Sequence, residues 1–131
     1  YTEETRGVKS ELPVIIFDDF TTDKKFVDFK FKVRSSAMKL LNPRSTEIDA
    51  YYVFSAMEQI DFPVIDHKRY WIAEYQKIQI PLPNTKEQRR VASILLNFES
   101  EIKSLKGKLH KAKKIKMGMM QELLTGRTRL I

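Results

Sequence analysis

The chain has 131 residues, of which 42% are apolar and 31% charged, a balance typical of a folded domain and not of a disordered chain. The absence of cysteine excludes disulfides and thiolate catalysis and is typical of a protein of the reducing cytoplasm, where we expect this one. No apolar run approaches the roughly 18 residues of a membrane span and no apolar leader opens the chain, so we expect neither a membrane protein nor an exported one.

The net charge of +7 is concentrated in the last third of the chain. Up to Asn84 there are 12 Lys and Arg against 13 Asp and Glu, whereas from Thr85 onwards there are 12 against 4. The composition changes at the same point, which predicts two parts, residues 1–83 and 84–131. A basic excess attracts nucleic acid, but a solvated helix whose lysines only confer solubility explains it equally well.

Two strands and a helix are predicted in the first 60 residues. Leu12 to Phe17 is short, apolar and β-branched, which favours a buried strand. Val27 to Arg34 alternates apolar and charged residues, which predicts a strand with one face on a core and a basic face in solvent. Ser45 or Thr46 is placed to cap a helix over Glu47–Gln59. Its predicted packing face consists of Ile48, Tyr52, Ser55 and Ala56, widened by Tyr51 and Phe54.

The third quarter of the chain predicts one more extended segment. Trp71 to Leu82 has apolar residues at alternate positions near its end, where Pro81 and Pro83 would terminate it. The long helix predicted next therefore cannot begin before these prolines.

A single long helix is predicted over Thr85 to Leu124. Thr85 with Gln88 fits a capping box, and Gly126 suits the C-terminal cap. Apolar residues recur at steps of four and three, which is the seam of a coiled coil, broken once at Lys116 and resumed at Met119 and Leu123. Such a seam needs a partner helix. The residues predicted to pair are Val91, Leu95, Phe98, Ile102, Leu105, Leu109 and Ala112.

No stretch of the sequence matches a catalytic motif. The nearest is Asp61 and Asp66 with Lys68, a pattern loosely similar to the carboxylates and lysine of metal-dependent nucleases but frequent by chance. Two histidines are too few and too far apart to suggest a metal cluster. We therefore expect no catalytic residue, no metal site and no cofactor.

The end of the chain resembles a known family. Ile80 to Leu95, with Glu87 and Gln88 opening the helix, and the ending Leu123 to Leu130 resemble the distal conserved region of specificity subunits of type I restriction-modification systems. Four earlier segments resemble, more loosely, a target recognition domain of the same family. They are Pro13 to Thr22, Phe26 to Phe31, Met38 to Pro43 and His67 to Tyr70.

This resemblance implies an α+β fold, with a small sheet in an incomplete target recognition domain followed by one long C-terminal coiled-coil helix. It implies a non-catalytic subunit that reads half of a bipartite DNA site and positions the methyltransferase and endonuclease subunits, to which S-adenosylmethionine and ATP would belong. A complete subunit has two such domains and two helices, so the chain is expected to be a fragment or a half-subunit. A coiled-coil oligomerisation module without DNA specificity is the alternative.

The implied partners are double-stranded DNA, the modification subunits, restriction subunits where these are present, and a second copy through the long helix. Contacts to the DNA backbone are expected from the basic strand face and from neighbouring lysines, with a second basic cluster near residue 68. The residues predicted to bind DNA are Lys24, Lys25, Lys30, Lys32, Arg34, Lys39, Lys68 and Arg69.

Overall fold

The computed structural model describes residues 12–31, 35–65 and 68–131. The chain divides into two compact units, Tyr1–Ala92 and Ser93–Ile131. The first contains a small sheet, short helices and the first two turns of the long helix, and the second contains the rest of that helix. The predicted α+β class, with a small sheet followed by one long helix, is confirmed.

A three-stranded antiparallel sheet forms the centre of the first unit. Its strands are β1 (Val14–Asp18), β2 (Lys24–Val27) and β3 (Met38–Leu41), in the order β2-β1-β3. The prediction of a buried first strand is confirmed: Val14 and Phe17 are fully buried. Ile15 lies opposite Phe26 on one side and Leu41 on the other, which places these side chains on the same face of the sheet.

The strand predicted from Val27 to Arg34 is wrong in its described part, because β2 ends where the prediction begins. Val27 pairs with Val14, the first residue of β1. Before Val14 stands Pro13, which has no N–H to donate, so among the described residues the pairing of β1 with β2 does not continue beyond Val27. Phe29 is accordingly 57% exposed, and residues 32–34 lie outside the described residues.

Helix α1 (Ala50–Glu58) begins later than predicted and has a different cap. The cap is Asp49, whose carboxylate accepts a hydrogen bond from the Tyr52 N–H at 2.9 Å, and not Ser45 or Thr46. The face that α1 packs against Ile15 and Phe17 also differs from the one predicted, although it includes the expected Phe54. It consists of Val53, Phe54 and Met57.

The segment predicted to be extended after residue 70 begins instead as helix. Helix α2 (Tyr70–Ala73) is followed by a 3₁₀ turn, Tyr75–Lys77, and no regular structure follows until residue 85. The ring of Phe17 lies 5.2 Å from that of Trp71 and 4.5 Å from that of Tyr75. The end of α2 at Ala73 and the 3₁₀ turn that follows therefore place both rings against Phe17. This packing overrides the alternating pattern further along the segment.

Helix α3 (Thr85–Leu124) has the predicted bounds, and its 40 residues make it about 60 Å long. Its N-terminal cap is Asn84 and not the predicted Thr85 and Gln88 pair, because the Asn84 carboxamide oxygen accepts the Glu87 N–H at 3.0 Å. Gly126 follows the helix with a φ of 72°, as expected of a C-terminal glycine.

The side chain of Gln88 joins the start of α3 to the start of α1. It is 2% exposed; its Oε1 accepts the Asp49 N–H at 3.0 Å and its Nε2 donates to the Pro83 carbonyl at 2.7 Å. The Thr85 hydroxyl donates to the Glu47 carbonyl at 3.0 Å beside it. Buried polar groups cost free energy unless they are paired, so these bonds fix the first turn of α3 within the first unit.

Gln88→Ala is expected to lower the free energy of unfolding by about 1–3 kcal/mol, because it leaves a partly buried N–H and a partly buried carbonyl without their partners. Urea denaturation of the chain measures this loss. Lys86→Ala, an exposed change in the same helical turn, is the matched control and should cost less than about 0.5 kcal/mol. Equal losses in the two variants would mean that the Gln88 bonds do not stabilise the junction.

Candidate nucleic-acid interface

The loop between β1 and β2 is anchored by Asp19, which is fully buried. Its carboxylate Oδ1 accepts the Trp71 N–H at 2.8 Å, its carbonyl accepts the Tyr70 N–H at 2.9 Å, and its own N–H donates to the Ala37 carbonyl at 3.1 Å. One residue thus connects the β1–β2 loop, the start of β3 and the start of α2. These three segments meet at one place on the surface.

The tip of this loop is held by the preceding residue. Asp18 Oδ1 accepts the Phe20 N–H at 2.8 Å and the Thr21 N–H at 3.0 Å, which is the pattern of an Asx turn. The hydrogen bond from Thr21 and then the one from Phe20 lower the pKa of Asp18 below its ordinary value of 3.8. Thr22 has a φ of 60°, which is rare for a β-branched residue. The hydrogen bonds of this turn hold it in that conformation.

The lowered pKa of Asp18 predicts a pH-dependent stability. The carboxylate form is favoured in the folded chain, so its contribution is fully present above the unfolded pKa and is lost as pH falls through the folded value. The free energy of unfolding should therefore decrease on acidification below about pH 4, and Asp18→Asn, which keeps an acceptor without the charge, should show a shallower decrease. Urea denaturation at a series of pH values measures both slopes; identical slopes would contradict the assignment.

Three of the eight predicted DNA-binding residues lie around Asp19. The Lys39 ammonium lies 3.7 Å from Asp19 Oδ2, the Lys68 ammonium donates to Glu74 at 2.6 Å, and the Arg69 guanidinium lies 5.9 Å from the ring centre of Phe20. Lys68 also lies over the ring of Tyr70, 5.3 Å from its centre. Phe20, Lys39, Lys68 and Arg69 lie on the three segments that Asp19 connects, and together they form the Asp19 cluster.

Three other predicted residues that the structure describes, Lys24, Lys25 and Lys30, are not part of the Asp19 cluster. Lys24 donates to the Met57 carbonyl at 3.1 Å and lies 5.8 Å from the ring centre of Tyr75, so its ammonium contacts the protein. Lys25, opposite Ile16, points to the other face of the sheet. Lys30 is exposed after β2 has ended. Lys32 and Arg34 lie outside the described residues. DNA binding by these five residues stays a prediction.

Sequence reasoning assigned no role to Asp19 or Phe20. The available signal was a pair of acidic residues directly after a buried strand, followed by an aromatic residue within a turn. An acidic residue at the end of a strand is usually solvated, and nothing local indicates that Asp19 accepts a bond from a residue 52 positions away.

The nuclease alternative finds no support in the described geometry. Lys68 is paired with Glu74, Asp61 is exposed, and Asp66 lies outside the described residues. In the part of the chain that the structure describes, no group of three or more His, Asp or Glu side chains could hold a metal ion. No described helix is long and apolar enough to span a membrane.

The predicted seam of α3 is exposed in the second unit. Leu95 is 37% exposed, Ile102 43% and Leu109 56%, and Phe98 and Leu105 lie in the same range. Val91, in the first unit, is half-buried. Isolated apolar residues on a surface are common, whereas a row of them at heptad spacing is typical of an interface.

Comparisons with known proteins show similarity to type I restriction specificity domains and subunits. The family model of the type I restriction modification DNA specificity domain matches residues 15–114. The type I restriction enzyme EcoR124I/EcoR124II specificity subunit of Escherichia coli is 40% identical over 126 residues, which cover 87% of this chain and 31% of that protein. The MjaVIII specificity subunit of Methanocaldococcus jannaschii is 26% identical over 122 residues, covering 86% of this chain and 28% of that protein.

The chain spans about a third, or less, of the length of the curated relatives it matches. No solved structure matches it. The family model covers most of the chain, including the sheet, the Asp19 cluster and the first thirty residues of α3. The chain therefore belongs to the type I restriction modification DNA specificity domain family.

Proposed function

We propose that this chain recognises DNA for a type I restriction-modification complex, with the first unit reading one half of a bipartite site. The family match over residues 15–114 is the observation on which this proposal rests most heavily. The exposed cations of the Asp19 cluster support it, because a rigid surface with basic and aromatic groups suits both phosphates and base edges. Modification of DNA would be performed by partner subunits bound by the longer protein.

The long helix has a separate role in this proposal, which is to set the distance between two DNA readers. At about 60 Å it exceeds one turn of DNA, roughly 34 Å, so a helix pair can separate two half-site readers by a turn or more. In a subunit with two such helices, the second would cover the exposed seam. The described residues contain one such helix, so we propose that two copies pair through it.

An antiparallel arrangement of this pair is favoured by charge. Seven lysines lie between Lys103 and Lys116, and Glu99 and Glu101 lie just before them. A parallel pair would align the two lysine-rich segments, whereas an antiparallel pair brings each one nearer to the other copy's glutamates.

The exposed seam also supports the alternative of an oligomerisation module without DNA specificity. The two functions are distinguished by measuring how the assembled complex binds a duplex of the sequence methylated in its host and a shuffled duplex, between 50 and 200 mM salt. DNA recognition predicts a preference of at least about a thousandfold for the methylated sequence, with affinity falling as salt rises. Equal affinity for both duplexes would favour the oligomerisation module.

A further inference from the structure

Arg69 differs from the other two cations of the Asp19 cluster in having no acidic partner. Lys39 lies near the Asp19 carboxylate and Lys68 donates to Glu74, whereas among the described residues no carboxylate forms an ion pair with Arg69. Its guanidinium instead lies 5.9 Å from the ring centre of Phe20. No described residue accepts a hydrogen bond from this exposed guanidinium, so its five donors are available to a ligand.

The backbone on both sides of this contact is fixed. Phe20 is 39% exposed, yet its N–H is held by Asp18. The two residues after Arg69, Tyr70 and Trp71, both donate their backbone N–H groups to Asp19, and Tyr70 is 1% exposed. Two exposed side chains thus project from hydrogen-bonded backbone, which lowers the entropic cost of ordering them when a ligand binds.

The chemistry of the pair suits a bidentate contact to a base edge. A phosphate needs only a nearby positive charge, which a flexible lysine provides. A planar guanidinium beside an aromatic ring has a restricted orientation, and two of its parallel N–H groups match the O6 and N7 acceptors of guanine in the major groove. Cation–π contact with the ring restricts that orientation without using any of the five donors.

We propose that Arg69 reads a guanine in the DNA half-site by donating two hydrogen bonds to its O6 and N7, with Phe20 as the positioning residue that orients the guanidinium. This inference rests on the proposed function, because it names the base class that the same surface recognises. It makes Arg69 a specificity-determining residue and leaves Lys39 and Lys68 as candidates for backbone contacts.

The test uses the specificity subunit in its intact assembly and duplexes of its methylated sequence in which each guanine in turn is replaced by 7-deazaguanine, which lacks the N7 acceptor. Wild type should lose affinity at one such position, and Arg69→Ala should be insensitive to the replacement at that position. Arg69→Ala should also bind the unmodified sequence roughly 5- to 150-fold more weakly. Lys77→Ala removes an exposed charge elsewhere in the first unit and is the matched control; it should lose only a few-fold, with the 7-deazaguanine pattern of wild type unchanged.

Phe20→Leu keeps an apolar side chain but removes the ring face, so it should reduce discrimination at the same guanine without abolishing binding. An unchanged thermal unfolding midpoint shows that each variant is folded. A loss that is equal on every duplex would make Arg69 a phosphate contact and overturn the proposal, as would an unaltered 7-deazaguanine pattern. If the wild-type assembly does not distinguish its own sequence from a shuffled one, the proposed function itself fails, which is a separate outcome.

Discussion

Replacing Leu95 and Leu105 together by aspartate is expected to convert a dimer of this chain into monomers. Both residues lie on the exposed seam of α3, and burying a leucine is worth about 1.5–3 kcal/mol. In a dimer each substitution is present in both copies. Each one also introduces a carboxylate that pairing would bury away from water. The dissociation constant should therefore rise by at least about a thousandfold, which analytical ultracentrifugation over a concentration series can measure.

Leu96→Asp with Ser104→Asp is the matched control for this experiment. It adds the same two charges to the same part of α3, but both residues lie off the seam, and Leu96 is already 46% exposed. This variant should remain dimeric. A wild-type chain that stays monomeric at high micromolar concentration would contradict the pairing, and cross-links that join equivalent residues near both helix starts would contradict its antiparallel sense.

The second large effect is expected at Asp19, where substitution by alanine should lower the free energy of unfolding by about 2–4 kcal/mol. The change leaves the partly buried Trp71 N–H without its acceptor and removes the carboxylate beside Lys39. Asp19→Asn retains an acceptor of the same shape and should lose less. Urea denaturation of the first unit within the intact chain measures both.

Asp61→Ala is the matched control for Asp19, because Asp61 is an exposed aspartate of the same unit. Its effect should stay within about 0.5 kcal/mol. If Asp19→Ala were as mild as this control, the three segments that meet at Asp19 would be held together by other contacts, and the rigidity argued for Arg69 would lose its basis.

The parts of the fold that sequence alone predicts are those determined by local pattern. Helix α3 has its predicted bounds because these are determined locally. The heptad seam favours the helix, the upstream pair of prolines limits its start, and Gly126 follows its end. The buried strand β1 was recognised from its own β-branched composition.

The features that sequence did not predict depend on distant partners. The end of β2 at Val27 is set by where β1 begins, and the helical turn at Trp71 is set by the ring of Phe17. Gln88 accepts a bond from Asp49, 39 residues earlier, so the local capping box expected of it does not form. For the same reason three of the predicted DNA-binding residues form one cluster while Lys24 contacts the Met57 carbonyl instead.

The central claim is that this chain specifies a DNA sequence. It is tested most directly by sequencing the methylated bases of three host strains. One has the intact gene, one lacks it, and one carries the gene with residues 12–83 exchanged for those of another family member. Loss of the gene is expected to abolish methylation at one bipartite sequence, and the exchange is expected to alter one half of that sequence while the other half is unchanged. An identical set of methylated sequences in all three strains would contradict it.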